Sequence, residues 1–310
     1  MAMEPFRLSP RAFEKVTLAA LAALAFIVVT GAAVRLTASG LGCPNWPTCD
    51  DGRVVAPLEY HAMVEFVNRV VTGLVSVAVI LAVLGSLARR PRRPDLVWLS
   101  LGLVAGVIGQ IVLGGLVVLF HLYPPLVMGH FVVSMLLLAD ATVLHHRAGM
   151  PDGTAPRRAV SADHLTLARL VLGAASLAIV LGTVVTGSGP HAGSHDGELV
   201  ERLPFAIGEV ARIHSIAVWI FAGLALYLAR SLRLASAPAT AIRRADVLLA
   251  VLVAQAAVGY AQYFTGVPEA LVAIHVAGSV TVWIAMLRLM VGLHVQVRVA
   301  DPVELAEPVP

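Results

Sequence analysis

Eight apolar stretches of roughly 20 residues, each enough to cross a hydrocarbon layer of ~30 Å, begin near Val16, His61, Leu96, Leu126, Leu165, Ala206, Ala245 and Glu269. In hydrocarbon every backbone amide needs a partner within the protein, and a helix supplies one segment by segment. The pattern therefore predicts an all-α, polytopic membrane protein of eight transmembrane helices. The chain is 58% hydrophobic and only 13% charged, more apolar surface than one soluble core can hide. Its basic residues fall in clusters between the spans: Arg89, Arg90, Arg92 and Arg93; Arg147, Arg157 and Arg158; Arg230, Arg233, Arg243 and Arg244; and Arg7, Arg11 and Lys15 before the first. These loops alternate with loops almost free of Lys and Arg, which by the positive-inside rule places both termini in the cytoplasm of a cell-membrane protein. Such clusters are topology signals, so no nucleic-acid partner is expected. A cleaved signal peptide is the alternative for the first span, and the length of the run from Val16 to Val34 favours a retained helix.

The chain repeats itself. Gln110 and His130 lie 20 positions apart, as do Gln255 and His275, and each interval crosses a short Pro-containing outer turn. Asn68 lies 42 positions before Gln110 and His214 lies 41 before Gln255, so asparagine stands in the first half where histidine stands in the second. The motif Gly31-Ala-Ala-Val-Arg35 loosely matches Gly182-Thr-Val-Val-Thr186. Four spans per half start both halves on the same side of the membrane, which makes the repeat parallel, with a pseudo-twofold axis along the membrane normal. The expected units are an N-terminal four-helix half (1–146), a cytoplasmic linker (147–163), a C-terminal half (164–298) and a cytoplasmic tail (299–310).

Histidines inside spans are costly and usually face a partner or cofactor. Counted from the nearest outer-turn prolines, His130, His214 and His275 lie roughly 8 to 15 Å below the outer surface at 1.5 Å rise per residue. His214 on the sixth helix and His275 on the eighth can bind heme iron from both sides of a four-helix bundle; a helix-to-helix hydrogen bond is the plainer alternative. In the first half Glu65 and Asn68, at i and i+3, share a helix face. A carboxylate at this depth has to be paired, with Arg69 or Arg35, or used in chemistry. Arg35 and Arg69 are equally placed to bind heme propionates. Both cysteines, Cys43 and Cys49, fall in the first outer loop, on an oxidising side, where a disulfide is expected. It serves either as a staple or as a redox-active pair above a heme site.

Together these features resemble the heme A synthase family, over nearly the whole chain. The likeness rests on Gly31-Ala-Ala-Val-Arg35-Leu-Thr-Ala-Ser-Gly40, Cys43-Pro-Asn-Trp-Pro-Thr-Cys49, Glu65-Phe-Val-Asn-Arg69, Gly129-His130, Arg212-Ile-His214 and Ile274-His275, in order among eight helices. The resemblance implies oxidation of the C8 methyl of heme O to the formyl group of heme A for cytochrome oxidase. It implies a heme b ligated by His214 and His275, and substrate heme O in the first half with Glu65 near the reacting methyl. Heme O synthase and cytochrome oxidase assembly factors are candidate partners beside membrane lipid, and a homo-oligomer is left open. The departure is Asn68, where the family pattern Glu-x-x-His-Arg has a ligating histidine. Asparagine is a poor iron ligand, so either this site is inactive or His130 alone holds the substrate and leaves an axial position open. Two other classes compete: a diheme cytochrome b electron carrier, which would want two complete histidine pairs, and a transporter, which would want matched broken helices.

Overall fold

The computed structural model describes residues 7–50, 52–195 and 200–298. They form eight helices: α1 (Pro10–Leu36), α2 (Tyr60–Ala88), α3 (Pro94–Leu119), α4 (Pro124–Ala148), α5 (Ala162–Ser188), α6 (Ile207–Leu234), α7 (Ala239–Phe264) and α8 (Glu269–Gly292). All eight are long and apolar enough to cross a membrane, so the chain is an all-α multi-pass membrane protein. Local chemistry sets the starts. α1, α3 and α4 open on proline, whose fixed φ and missing N–H suit a first turn. Ser9 and Ser161 cap α1 and α5 by accepting the N–H of Ala12 and His164, each at 3.3 Å.

Within each half the helices pack as a ring. α1 packs on α2, α2 on α3, α3 on α4 and α4 on α1; α5 to α8 repeat the order. Diagonal partners do not pack closely. The halves meet through α4–α8, α1–α8 and α4–α5. Exchanging α1 with α5 and α4 with α8 maps this set onto itself, as a pseudo-twofold relation demands. Across the seam, Trp283 Nε1 donates to the Met135 carbonyl at 2.8 Å.

The interior is filled unevenly. Phe13, Leu96, Leu103, Leu138, Leu144, Leu228, Leu232, Leu248, Met286 and Leu289 are fully buried, and all lie in the halves of their helices nearest the Arg-rich loops. Toward the cysteine loop the four-helix rings lose this packing. His130, His214 and His275 sit at that less filled end, each only partly buried.

The segment between the halves holds a strand that the sequence reading lacks. β1 (Thr154–Arg158) pairs antiparallel with β2 (His294–Arg298), which follows α8, with Thr154 opposite Arg298 and Arg158 opposite His294. β1 is exposed and shows no alternation of polarity, so no period marked it, and its partner lies far off in sequence. α4 ends at Ala148 and α5 starts at Ala162, within two residues of the expected linker bounds; the tail 299–310 lies outside the described residues.

Trp283→Phe keeps the ring volume but removes the seam hydrogen bond. We expect it to lower the detergent-phase stability of the folded chain by about 1 kcal/mol, read as a lower thermal midpoint; an unchanged midpoint would show that the seam does not use this bond.

Candidate functional site

Four positions, one on each even-numbered helix, are built alike. His130 (α4) lies on α3 at Gly114, His214 (α6) on α5 at Gly182, and His275 (α8) on α7 at Gly259. A Cβ added to these glycines would stand 3.4, 3.2 and 3.0 Å from the respective histidine Cε1. Even alanine would crowd His275 and His214, so the missing side chain is what seats the ring. Gly114 and Gly259 are separated by the same interval as His130 and His275. The fourth position pairs Asn68 (α2) with α1, where Gly31 matches Gly182, and there a Cβ would meet no atom within 4 Å.

Buried glutamines hold two of these pairs in register. Gln110 Nε2 donates to the His130 carbonyl at 3.0 Å and to Ser134 Oγ at 2.6 Å. Gln255 Nε2 donates to the His275 carbonyl at 2.8 Å. The 20-residue spacing seen in the sequence is thus a direct helix-to-helix bond, made twice.

The ring nitrogens are presented as a heme site needs them. His214 Nδ1 contacts the Ala178 carbonyl at 3.0 Å. A carbonyl only accepts, so Nδ1 carries the proton and Nε2 keeps its lone pair, the arrangement that orients ligating histidines. His130 Nδ1 and His275 Nδ1 are buried without a hydrogen-bond partner among the described residues, which leaves Nε2 as the accessible nitrogen of each. His214 and His275 stand on diagonal helices of the second ring, α6 and α8. Among the described residues no three His, Cys, Asp or Glu side chains gather around one metal-sized point. Heme iron asks for at most two protein ligands, since the porphyrin supplies the rest, and the pair His214 and His275 fits that demand.

In the first half His130 has Asn68 on the diagonal helix. Asn68 Oδ1 accepts from Thr30 Oγ1 at 2.9 Å, and Thr30 also reaches the Ile27 carbonyl at 3.2 Å. Beside them lies an open groove of about 550 Å³ between α1 and α2, lined by Phe26, Thr30, Tyr60, Val64, Val67 and Asn68 among others, with no lining residue from α3 or α4. Asparagine is shorter than histidine, and the α1–α2 groove is open where the other three are filled by an imidazole.

Glu65 faces elsewhere. It is buried, 5% exposed. Oε2 accepts the Cys43 N–H at 2.9 Å, and Oε1 accepts Arg69 Nη2 at 2.5 Å and Nε at 3.2 Å. Arg69 directs its remaining donors to the cysteine loop: Nη1 to the Asn45 and Thr48 carbonyls at 3.2 and 3.0 Å, Nη2 to those of Cys43 and Asn45 at 3.1 and 3.2 Å. A Cys43–Cys49 disulfide closes the same loop. At its tip the Trp46 ring lies on Gly115, where an added Cβ would come within 2.7 Å of Cδ2; Gly115 adjoins the glycine that seats His130. Arg35 has other partners as well, donating from Nε to the His191 carbonyl at 2.6 Å and from Nη2 to the Thr186 carbonyl at 2.8 Å. Both arginines offered as propionate ligands therefore clamp outer-loop backbone in this structure. The loops of the two halves also join each other: Gly40 N–H donates to the Gly193 carbonyl at 2.7 Å, and His61, bonded to Ser39 at 3.0 Å, stacks on His195 with centroids 4.4 Å apart.

The structure thus brings Asn68 and Thr30 into one cleft, and His214 and His275 into one bundle. It sets Glu65, Arg69, Cys43 and Cys49 together as a separate unit. Sequence reasoning missed Gly114 and Gly259, although Gln110 and Gln255 each precede their glycine by four residues, a signal in the repeat itself. It quoted Gly182 and Trp46 in motifs without the contacts they make, and it missed Thr30, whose partner is a side chain on another helix.

A profile of the COX15-CtaA family, described as cytochrome oxidase assembly protein, matches residues 14–63 and 55–287. Among relatives named heme A synthase, that of Symbiobacterium thermophilum is 37% identical over 154 residues, 48% of each chain. That of Shewanella oneidensis is 27% identical over 179 residues, 52% of this chain and 51% of the relative. That of Geobacillus kaustophilus is 30% identical over 111 residues, 36% and 35% of the two. The chain spans about half or less of the length of these curated relatives.

Arg69→Gln would release several charge-assisted bonds to the loop. Losing even one, at about 1.5 kcal/mol, should speed reduction of Cys43–Cys49 by an impermeant reductant about tenfold, measured by thiol labelling. An unchanged rate would mean that the loop does not depend on Arg69.

Proposed function

The chain belongs to the COX15-CtaA family of cytochrome oxidase assembly proteins, and from that premise we propose that it is a heme A synthase, oxidising the C8 methyl of heme O to the formyl group of heme A. The observation that carries this reading is the asymmetry of the four seats. His214 and His275 would hold a heme b between α6 and α8, each through Nε2. His130 would hold the substrate heme O alone, with Asn68 and Thr30 toward its opposite face. A heme held by both His214 and His275 would supply one-electron chemistry, whereas the heme held by His130 alone would be the one open to an oxidant. An electron carrier has no use for that difference.

The protein's own groups orient and enclose. Gly114 fixes the plane of the His130 ring, and Gln110 ties its helix to α3. The amide of Asn68, held by Thr30, offers a hydrogen bond within the cleft without competing for iron. The family resemblance puts Glu65 near the reacting methyl. Its contacts favour a different part: both oxygens are engaged by Arg69 and Cys43. We assign Glu65 as the anchor that positions the disulfide loop, and with it Trp46, over the His130 seat. By the positive-inside rule the Arg-rich ends face the cytoplasm and the loop faces outward across a cell membrane.

Expression in a host lacking its own synthase tests the activity: extracted pigment should contain heme A, while heme b alone would identify an electron carrier. Glu65 is tested by a pair of variants. Glu65→Ala should abolish heme A formation and spare the heme b bound by His214 and His275. Glu65→Gln, whose one acceptor oxygen can serve either Cys43 N–H or Arg69 but not both, should keep at least about a hundredth of it, because losing one charge-assisted partner corresponds to about 2.8 kcal/mol. Equal loss in both variants would return Glu65 to proton transfer.

A further inference from the structure

Where α4, α7 and α8 end at the Arg-rich side, positive side chains gather without matching acids. His145 and His146 occupy the last turn of α4. Arg244 stands near the start of α7, and Arg288 lies four residues before α8 ends at Gly292, about 6 Å inside the helix end at 1.5 Å per residue. Arg244 lies across the end of α8, donating from Nη1 to the Arg288 carbonyl at 2.9 Å and covering Gly292, where a Cβ would collide with its guanidinium.

Other arginines at this end have carboxylates. Arg89 pairs with Asp152 and Arg93 with Asp95, each at 2.8 Å, and Arg233 pairs with Asp246. Arg147 shares Asp95 at 3.6 Å, and Glu14 stands beside His145. Arg244 and Arg288 form no ion pair among the described residues, and the exposed Arg288 side chain makes no hydrogen bond among them. The positive-inside rule explains the charge of Arg244. It does not explain why Arg244 and Arg288, brought to one face at the end of α8, lack the carboxylates that neighbouring arginines have.

We infer that Arg244 and Arg288 form a binding site for a phosphate group at the Arg-rich end of the α7–α8 pair. Two guanidiniums offer planar donors suited to phosphate oxygens, and basic pockets between membrane helices at headgroup level recognise anionic lipids. The same donors would take a free phosphate, so the test separates the two sources.

The full chain is reconstituted with phosphatidylglycerol and phosphatidylcholine, and retained lipid is counted by native mass spectrometry. Arg288→Gln should retain phosphatidylglycerol about fivefold less well than the wild type, the effect of one interfacial arginine, with phosphatidylcholine unchanged. Arg288→Lys, which keeps the charge, should retain most of it and excludes misfolding as the cause. Arg90→Gln, which removes an equal charge elsewhere at this end, should change nothing. If instead inorganic phosphate raises the thermal midpoint of delipidated wild type and not of Arg288→Gln, the site takes free phosphate. Equal behaviour of wild type and Arg288→Gln in both arms, or equal losses in Arg288→Gln and Arg90→Gln, would overturn the inference.

Discussion

A polar group carried into hydrocarbon must find its partner within the protein or be matched by something the protein binds. For the backbone, eight helices meet that demand. For side chains the outcomes divide the molecule. Glu65 and Arg69 satisfy each other and the carbonyls of the cysteine loop. Gln110 and Gln255 satisfy helix carbonyls across a helix pair. What is left at the less filled end is His130, His214 and His275, whose Nε2 atoms form no hydrogen bond among the described residues, and the proposed heme sites are built on them.

Packing makes the remainder usable. The core is concentrated in the halves of the helices near the Arg-rich loops. Gly182 and Gly259 let the rings of His214 and His275 lie flush against the neighbouring helix. The repeat gives four corresponding positions, and at the fourth Asn68 stands where the others have histidine. The cysteine loop has no counterpart of equal length in the second half, and it covers the half with the open seat. Chemistry that needs access on one side and shielding on the other is favoured by this pairing.

Much of the fold was legible because hydrophobicity has to persist for about 20 residues to cross a bilayer. Helix starts near Val16 and Ala245 were read six residues late, since α1 and α7 begin in polar turns beyond the apolar run, at Pro10 and Ala239. The repeat was legible through Gln110, His130, Gln255 and His275, whose spacing reflects a direct bond. Gly114, Gly182 and Gly259 were not, because glycine is frequent in membrane helices and only a neighbouring helix shows which ones seat a ring. The work of Arg69 and Arg35 was hidden for another reason: their acceptors are backbone carbonyls, which every residue carries. β1 and β2 pair short segments from the linker and from the end of the second half, where no pattern is required.

The central claim is that the first half holds heme O through His130 with Asn68 leaving the opposite axial position free. It is tested most directly by loading the purified chain with heme O and reading the coordination of each heme by resonance Raman and magnetic circular dichroism. The account expects a six-coordinate, bis-histidine heme that disappears in His214→Ala, together with a five-coordinate heme O that Asn68→His converts to a six-coordinate form. Bis-histidine spectra at both sites of the wild-type chain would contradict it.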